Sequence, residues 1–349
     1  MPKFICVIPC RAGSKRIKNK NQLTFLSQSL IQRAYDLANQ SELIDKIIIS
    51  TNSQDYLDSI KKTSKYIDIG LRSKKNSLDF STDKDFLDEI IIKLEKESIF
   101  FEYIIHIRPT YPSLTKDKID EAALYFLNYP RATSLKSVEK LSLLKEKCLQ
   151  EDKNDSKRLI DLDGKNDNLL TSLPSQKCTN LFAQTAAIDI YKIEIIKKGS
   201  LWGEYCLKFE LGYYNADIDY PFDIPLAYSA LDYLELERKI INNKPIEISF
   251  DIDGVIFSRN SRQNYSEVEP NYWVINFINF LSEKGCKIII FTARGTKTGK
   301  DWEKITISQL EKYSVSYDQL IFGKPGSDFY VDDKNISLER LKTLFKYNN

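Results

Sequence analysis

Residues 8–21 read IPCRAGSKRIKNKN, and the fold hangs on how this stretch is read. An apolar run at 4–8 precedes it and has the composition of a buried strand. The run ends at Pro9, and five cations then crowd the loop: Arg11, Lys15, Arg16, Lys18 and Lys20. Gly13 and Ser14 let the backbone turn tightly. Leu30, Ile31, Ala34, Leu37 and Ala38 then share one face of a helix predicted over 29–40. A basic loop of small residues at the carboxyl end of a strand is where α/β sheets bind phosphates. The loop lacks GxxxxGK[ST] and GxGxxG, so it is neither a Walker loop nor a dinucleotide fingerprint.

Outward from this loop, strand-like and helix-like patterns alternate through the first ~220 residues, which predicts an α/β fold with a parallel sheet. A second buried strand is expected over 46–50, with 51–53 as a loop and helix start. Phe86, Leu87, Ile90, Ile91 and Leu94 give helical spacing over 85–94. A third strand, 103–107, runs into Arg108-Pro109-Thr110-Tyr111-Pro112. Residues 150–170 are polar and charged, and read as a hairpin or a mobile loop. Residues 225–242 read as a helix, and Asn242-Asn243-Lys244-Pro245 as a domain boundary.

Two acids in Asp217-Ile218-Asp219 fall on one side of an extended segment. Neighbouring carboxylates repel unless a cation joins them, and hard oxygen ligands suit Mg²⁺. The only histidine, His106, sits in an apolar run and reads as a core or strand-end residue. Chemistry therefore falls to carboxylates, lysines and metal ions.

A length of 349 residues suggests two domains, expected at 1–243 and 244–349. A net charge of +2 excludes nucleic acid and membrane as bulk partners, because the basic character is local. Six scattered cysteines without CxxC read as reduced thiols of a cytoplasmic protein. No apolar run approaches the ~18 residues of a membrane span, and no signal peptide is expected.

The loop residues Arg11, Ala12, Gly13, Ser14, Lys15, Lys20 and Asn21 resemble the signature of the CMP-sugar-acid synthetases. This family includes the acylneuraminate cytidylyltransferases and their relatives for legionaminic, pseudaminic and Kdo-type acids. The resemblance covers residues 1 to about 240 and implies a Rossmann-like nucleotidyltransferase domain that binds CTP and a sugar-acid acceptor. It implies nucleotide contacts for Arg11, Ser14, Lys15 and Asn21, with Lys20 as a catalytic cation. Arg72 matches an arginine the family places near the triphosphate; by itself it reads as a surface cation. The 108–114 segment is similar to the family's [QR]PTSPLR loop, which implies a nucleotide contact for Arg108. Tyr111 replaces the serine there, and Ser113-Leu114 stands where Leu-Arg is usual. Asp217 and Asp219 are the implied Mg²⁺ ligands. The acceptor stays open between a sialic-acid-like sugar acid and another acceptor, such as a different sugar acid or a polyol phosphate.

A new strand over 246–250 delivers Asp251-Ile252-Asp253-Gly254-Val255. This resembles the DxDG[TV] motif of haloacid-dehalogenase-type (HAD) phosphatases. FTARG with Thr292, FGKPGSD with Lys324, and Asp332-Asp333 follow in order. The resemblance covers 246–349 and implies a small HAD-like α/β domain acting on a sugar phosphate. Asp251 would attack phosphorus. Asp253 would serve as acid and base. Thr292 and Lys324 would hold the phosphoryl group. Asp332, with Asp333 as a close alternative, would hold Mg²⁺ together with Asp251 and the Asp253 carbonyl. Arg294 and Lys297 read either as substrate contacts or as solvated surface, and 258–270 as a flap. The expected protein is a bifunctional enzyme and a homo-oligomer. The alternative keeps the HAD part as an assembly module only.

Overall fold

The computed structural model describes residues 4–164, 172–212, 216–258, 265–327 and 335–347. The chain forms two compact units, Met1–Ala230 and Leu231–Asn349.

The first unit opens with β1 (Phe4–Pro9), a small hairpin of β2 (Thr24–Phe25) and β3 (Gln28–Ser29), and α1 (Leu30–Gln40). Then come β4 (Ile44–Ser50), α2 (Gln54–Asp58), α3 (Asp83–Lys96), β5 (Tyr103–Ile107), α4 (Lys116–Leu127) and β6 (Ser134–Leu144). A second hairpin, β7 (Leu149–Asp152) and β8 (Asp155–Asp161), leads on to β9 (Asn180–Lys192), α5 (Ile193–Lys197) and β10 (Cys206–Glu210). Helix α6 (Asp223–Ile241) contains the division point between the units. Predicted and observed helix starts differ by a residue or two because caps stop them: Ser29 and Thr82 each accept a backbone N–H at the start of α1 and α3.

Six strands form one sheet in the order β10-β6-β9-β5-β1-β4. Strand β1 lies between β4 and β5 and is parallel to both. The chain leaves β1 to one side for β4 and returns past it to β5. This reversal puts a crevice at the carboxyl ends of β1 and β5, where such sheets take ligands. Side chains of β1 alternate: Phe4, Cys6 and Ile8 pack under α1 and α4, while Ile5 and Val7 face α3 and α5. Each fully buried isoleucine here contributes roughly 1.5–3 kcal/mol.

The sheet is mixed, not wholly parallel as the alternation predicted. Strand β9 runs antiparallel to both β5 and β6. The reason lies in the connection: a parallel return needs a crossover, usually a helix, and none lies between β6 and β9 among the described residues. The β6–β9 pair buries a charged contact. Lys136 Nζ lies 3.0 Å from Asp189 and 2.6 Å from the Tyr191 hydroxyl, which itself donates to Asp189 at 2.9 Å.

The second unit is a three-stranded parallel sheet ordered β11 (Glu247–Phe250), β12 (Lys287–Thr292), β13 (Gln319–Phe322). Helix α7 (Tyr272–Glu283) connects β11 to β12, and α8 (Glu303–Lys312) connects β12 to β13; α9 (Leu338–Leu344) follows. Phe250, Ile252, Phe257, Phe277, Ile278, Ile288, Ile290 and Leu310 make its core. Among the described residues no helix is long and apolar enough to cross a membrane.

Removing one partner of a buried ion pair strands the other charge. Lys136→Met is therefore expected to lower the stability of the first unit by about 3–5 kcal/mol. The urea midpoint of that unit checks it, and a loss below about 1 kcal/mol would mean that the Asp189 carboxylate needs no counter-ion.

Candidate functional site

Strand β1 stops at Pro9, and the backbone stays tethered just beyond. Cys10 N donates to Ser50 O at 2.9 Å, and Ala12 N to Asn52 Oδ1 at 2.8 Å. Gly13 turns with φ +91°, a conformation L side chains rarely adopt. Asn21 then reaches back to Arg11 O at 3.2 Å, closing the loop upon itself.

The loop borders a cavity of about 260 Å³. Arg11, Lys20, Asn21, Arg72, Arg108, Asp217 and Asp219 all line it, with Asn76, Asp79, Asp83 and Phe86. Thus residues from the ends of β1 and β5 meet the 217–219 segment, as the sheet reversal requires. Ser14 and Lys15 are outside the lining, although Lys15 pairs with Asp79 on the wall.

Each cation of the cavity is held by an acid or by backbone. Arg11 pairs with Asp79 at 2.9 Å and donates to Ser77 O at 2.9 Å. Lys20 and Arg16 converge on Asp219 at 2.7 and 2.6 Å. Arg108 pairs with Asp83 at 2.6 Å. Arg72 is half-buried rather than free in solvent: it donates to Ser50 Oγ and O at 3.0 and 2.8 Å and covers the Phe86 ring at 4.1 Å. Burial pushes the Arg72 guanidinium down to about 10, against the pull of neighbouring acids.

The two aspartates differ. Burial pushes Asp217 above the usual carboxylate range, and Asp219 adds to the push. Its Oδ1 is buried with no hydrogen-bond partner. Burial acts upward on Asp219 as well, but Lys20 and Arg16 outweigh it and hold that carboxyl low. An orphaned acceptor beside a second carboxylate is a donor set that suits a hard cation. Among the described residues no cluster of three or more metal-binding side chains forms, so other oxygens would have to complete any shell.

His106 lies in β5, fully buried, and neither ring nitrogen has a partner. Burial lowers it to about 4, so the ring is neutral and belongs to the core.

In the second unit, three predicted residues gather at the carboxyl ends of the strands. Asp251 follows β11; its Oδ2 meets Lys324 Nζ at 2.6 Å and its Oδ1 accepts from Ile252 N at 2.8 Å. Thr292 closes β12 and is buried, and Lys324 N donates to Thr292 O at 3.1 Å. Asp253 is gripped by Arg294, at 2.7 Å from Nη2 and 2.9 Å from Nε. Arg294 is therefore neither a solvated cation nor a substrate contact: its side chain is 0% exposed. Asp332 and Asp333 lie outside the described residues, as does part of the expected flap.

A family model described as Cytidylyltransferase matches residues 5–201, more than half of the chain. The chain belongs to the cytidylyltransferase family. It is 27% identical over 125 residues to a pseudaminic acid cytidylyltransferase of Campylobacter jejuni, covering 36% of this chain and 53% of that protein. Over 146 residues it is 27% identical to a CMP-N,N'-diacetyllegionaminic acid synthase of Legionella pneumophila, covering 42% of this chain and 62% of that one. Over 122 residues it is 30% identical to an N-acylneuraminate cytidylyltransferase of Escherichia coli, with 34% and 27% covered. The chain spans about half the length of the first of these relatives. The match takes in the cation loop, Arg72 and Arg108, and stops short of Asp217 and Asp219.

Local sequence gave no hint of the wall acids Asp79 and Asp83. The wall itself hangs on Glu89 of α3, which accepts from Ser73 N and Oγ at 3.0 and 2.7 Å and from Asn76 Nδ2 at 2.8 Å. Burial alone would raise Glu89, but Lys93 and these donors outweigh it and hold it at about 2, against an ordinary 4.5. A depressed carboxyl contributes stability that is complete above its unfolded value and lost as pH falls through the folded one. Thermal scans are expected to show the melting temperature falling from about pH 4.5 down to about pH 2. Glu89→Gln should fall less steeply there and melt lower at pH 7. Parallel curves would remove Glu89 as the anchor of this wall.

Proposed function

We propose that the first unit transfers CMP from CTP to a hydroxyl of a sialic-acid-like sugar acid and releases pyrophosphate. The observation that carries this reading is the cavity at the β1–β5 crevice, where Arg11, Lys20, Arg72 and Arg108 face Asp217 and Asp219. The family and the names of the relatives, all of which act on sugar acids, support the same reading.

The chemistry follows from charge. A triphosphate entering the cavity exchanges the carboxylate partners of Arg11 and Lys20 for phosphate oxygens. Charge that grows on the pyrophosphate as the α-phosphorus is attacked then meets cations already oriented, which is where preorganised donors act most strongly. Asp217 and Asp219 are the residues that would hold Mg²⁺. That ion, when bound, would neutralise phosphate charge and complete its shell with triphosphate oxygens. Arg16, stacked 4.6 Å over Tyr220, stays beside Asp219 and keeps its carboxylate oriented.

For the second unit we infer a HAD-type phosphatase that hydrolyses a sugar phosphate. Asp251 attacks phosphorus while Lys324, already on its carboxylate, balances the charge. Asp253 protonates the leaving oxygen and then takes a proton from the attacking water. Among the described residues, the Asp251 carboxylate and the Asp253 backbone carbonyl would hold a second Mg²⁺. Both units lie in one chain, which motivates a sugar phosphate chemically related to the acceptor.

Incubation with CTP, Mg²⁺ and a panel of sialic, legionaminic, pseudaminic and Kdo-type acids should release pyrophosphate with at least one. Lys20→Ala should lower kcat by about 10²–10³-fold, the usual cost of losing one preorganised donor. Asp251→Asn should abolish release of phosphate from nonulosonic acid phosphates while cytidylyl transfer continues. Pyrophosphate release unchanged in Lys20→Ala, or absent with every acid, would sink the first reading. Phosphate release equal in Asp251→Asn and the parent would sink the second.

A further inference from the structure

The grip on Asp253 has more structure than an ordinary ion pair. Nε of Arg294 is shared between Oδ1 at 3.2 Å and Oδ2 at 2.9 Å, and Nη2 donates to Oδ1 at 2.7 Å. On the far side Nη1 donates to Thr306 Oγ1 at 3.1 Å and to Gln309 Oε1 at 2.8 Å, both on α8. Gln309 in turn donates to the backbone oxygen of Tyr265, whose ring lies 4.7 Å from the guanidinium. The guanidinium thus ties the Asp253 turn to a helix and to the stretch before α7. A buried arginine in a planar fork fixes a carboxylate in direction as well as in place.

We propose that Arg294 is the positioning residue of the second unit: through a two-oxygen clamp on Asp253 it aims that carboxyl as the proton donor to the leaving oxygen. This rests on the phosphatase reading of the same site. The geometry also says which oxygen does the work. Among the described residues Oδ1 accepts from both Nη2 and Nε, whereas Oδ2 accepts from Nε alone, so Oδ2 keeps a lone pair for the proton. In the first half-reaction an Asp251 oxygen bonds to phosphorus and the phosphorus–oxygen bond of the ester breaks. The electron pair stays on the leaving oxygen, which takes the proton from Asp253. In the second, water attacks phosphorus, its proton goes to Asp253, and the Asp251–phosphorus bond breaks to release phosphate. With its side chain sealed from solvent, Arg294 cannot touch the ester itself. Its effect must run through Asp253.

This role predicts a dependence on the leaving group that a general loss of structure would not produce. The full-length chain with Mg²⁺ is assayed on p-nitrophenyl phosphate, whose phenolate departs without a proton. The comparison is phenyl phosphate, whose phenolate is as basic as a tyrosinate, near 10. kcat/KM reports only the first half-reaction and so isolates proton donation. A positioned acid is worth about 10²–10⁴-fold. Arg294→Gln is therefore expected to lower the phenyl-to-nitrophenyl ratio of kcat/KM by at least about 10-fold. Thr306→Val, which removes one support of the guanidinium and keeps the shape, should shift the ratio the same way by less. If Arg294→Gln does not fold, the Thr306→Val ratio decides. Equal losses on both esters, or no loss on either, overturn the clamp and leave the phosphatase reading standing. A parent protein that hydrolyses neither ester, nor any nonulosonic acid phosphate, removes the phosphatase reading and the role of Arg294 with it.

Discussion

Cations crowded at the end of a strand must be neutralised by something. This constraint shapes the first unit. Arg11 and Lys15 share Asp79, Arg16 and Lys20 share Asp219, and Arg108 holds Asp83. The acids come from distant parts of the chain, so charge balance itself fastens the 79–83 wall and the 217–219 segment to the loop. Pairs of this kind at a solvent-filled cavity are worth little on their own, because water competes for both partners. Such weak pairs leave the cations of the cavity free to exchange one anionic partner for another at little cost.

The second unit meets the same constraint differently. Lys324 sits on Asp251 and Arg294 on Asp253, but the second pair is shut away from water on the arginine side. Burying a guanidinium without partners would be very costly. Every side chain around Arg294 therefore serves it: Asp253 on one edge, Thr306 and Gln309 on the other, Tyr265 across the face. One carboxylate keeps a partly exposed lysine partner and the other is fixed in its aim by a sealed arginine.

Local pattern revealed the features that are local. The apolar run to Pro9, the cations after it and the helix over 29–40 were all legible, because strand, turn and helix each leave a short-range signature. So were three motif segments of the second unit, which bring Asp251, Thr292 and Lys324 together; the fourth, Asp332-Asp333, lies outside the described residues. Features that depend on long-range pairing were not legible. Nothing near Lys136 announces that Asp189, far along the chain, will meet it across an antiparallel strand. Alternation of apolar runs reports strands and helices but not direction, so the antiparallel course of β9 left no mark in it. Arg72 by itself reads as a surface cation, and Arg294 as either a substrate contact or solvated surface, since a lone arginine in a polar stretch carries no mark of the wall it enters. The Asp217–Asp219 pair reaches the cavity from a segment that belongs to no strand among the described residues, and the environments of its two acids differ: Asp217 Oδ1 is buried without a partner, whereas Asp219 is doubly paired.

The lone histidine explains why these centres rely on carboxylates and cations. His106 is sealed in β5, with both nitrogens unpartnered and the ring neutral. A group so desolvated could not gain a proton at neutral pH without a large penalty. It contributes shape instead. The imidazole meets Phe86 edge to face at 5.7 Å, and the Arg72 guanidinium lies 4.1 Å from the centre of the same ring. Phe86 is also a wall of the cavity. The imidazole and the cation therefore share one aromatic plate. A larger or smaller side chain at 106 would move the plate, and with it the one cavity arginine that is tied to backbone and hydroxyl without a carboxylate partner in hydrogen-bond reach. Arg72 needs this support because burial already weakens its hold on its proton. The π face gives back part of the lost hydration, so the histidine acts on charge at one remove, as packing.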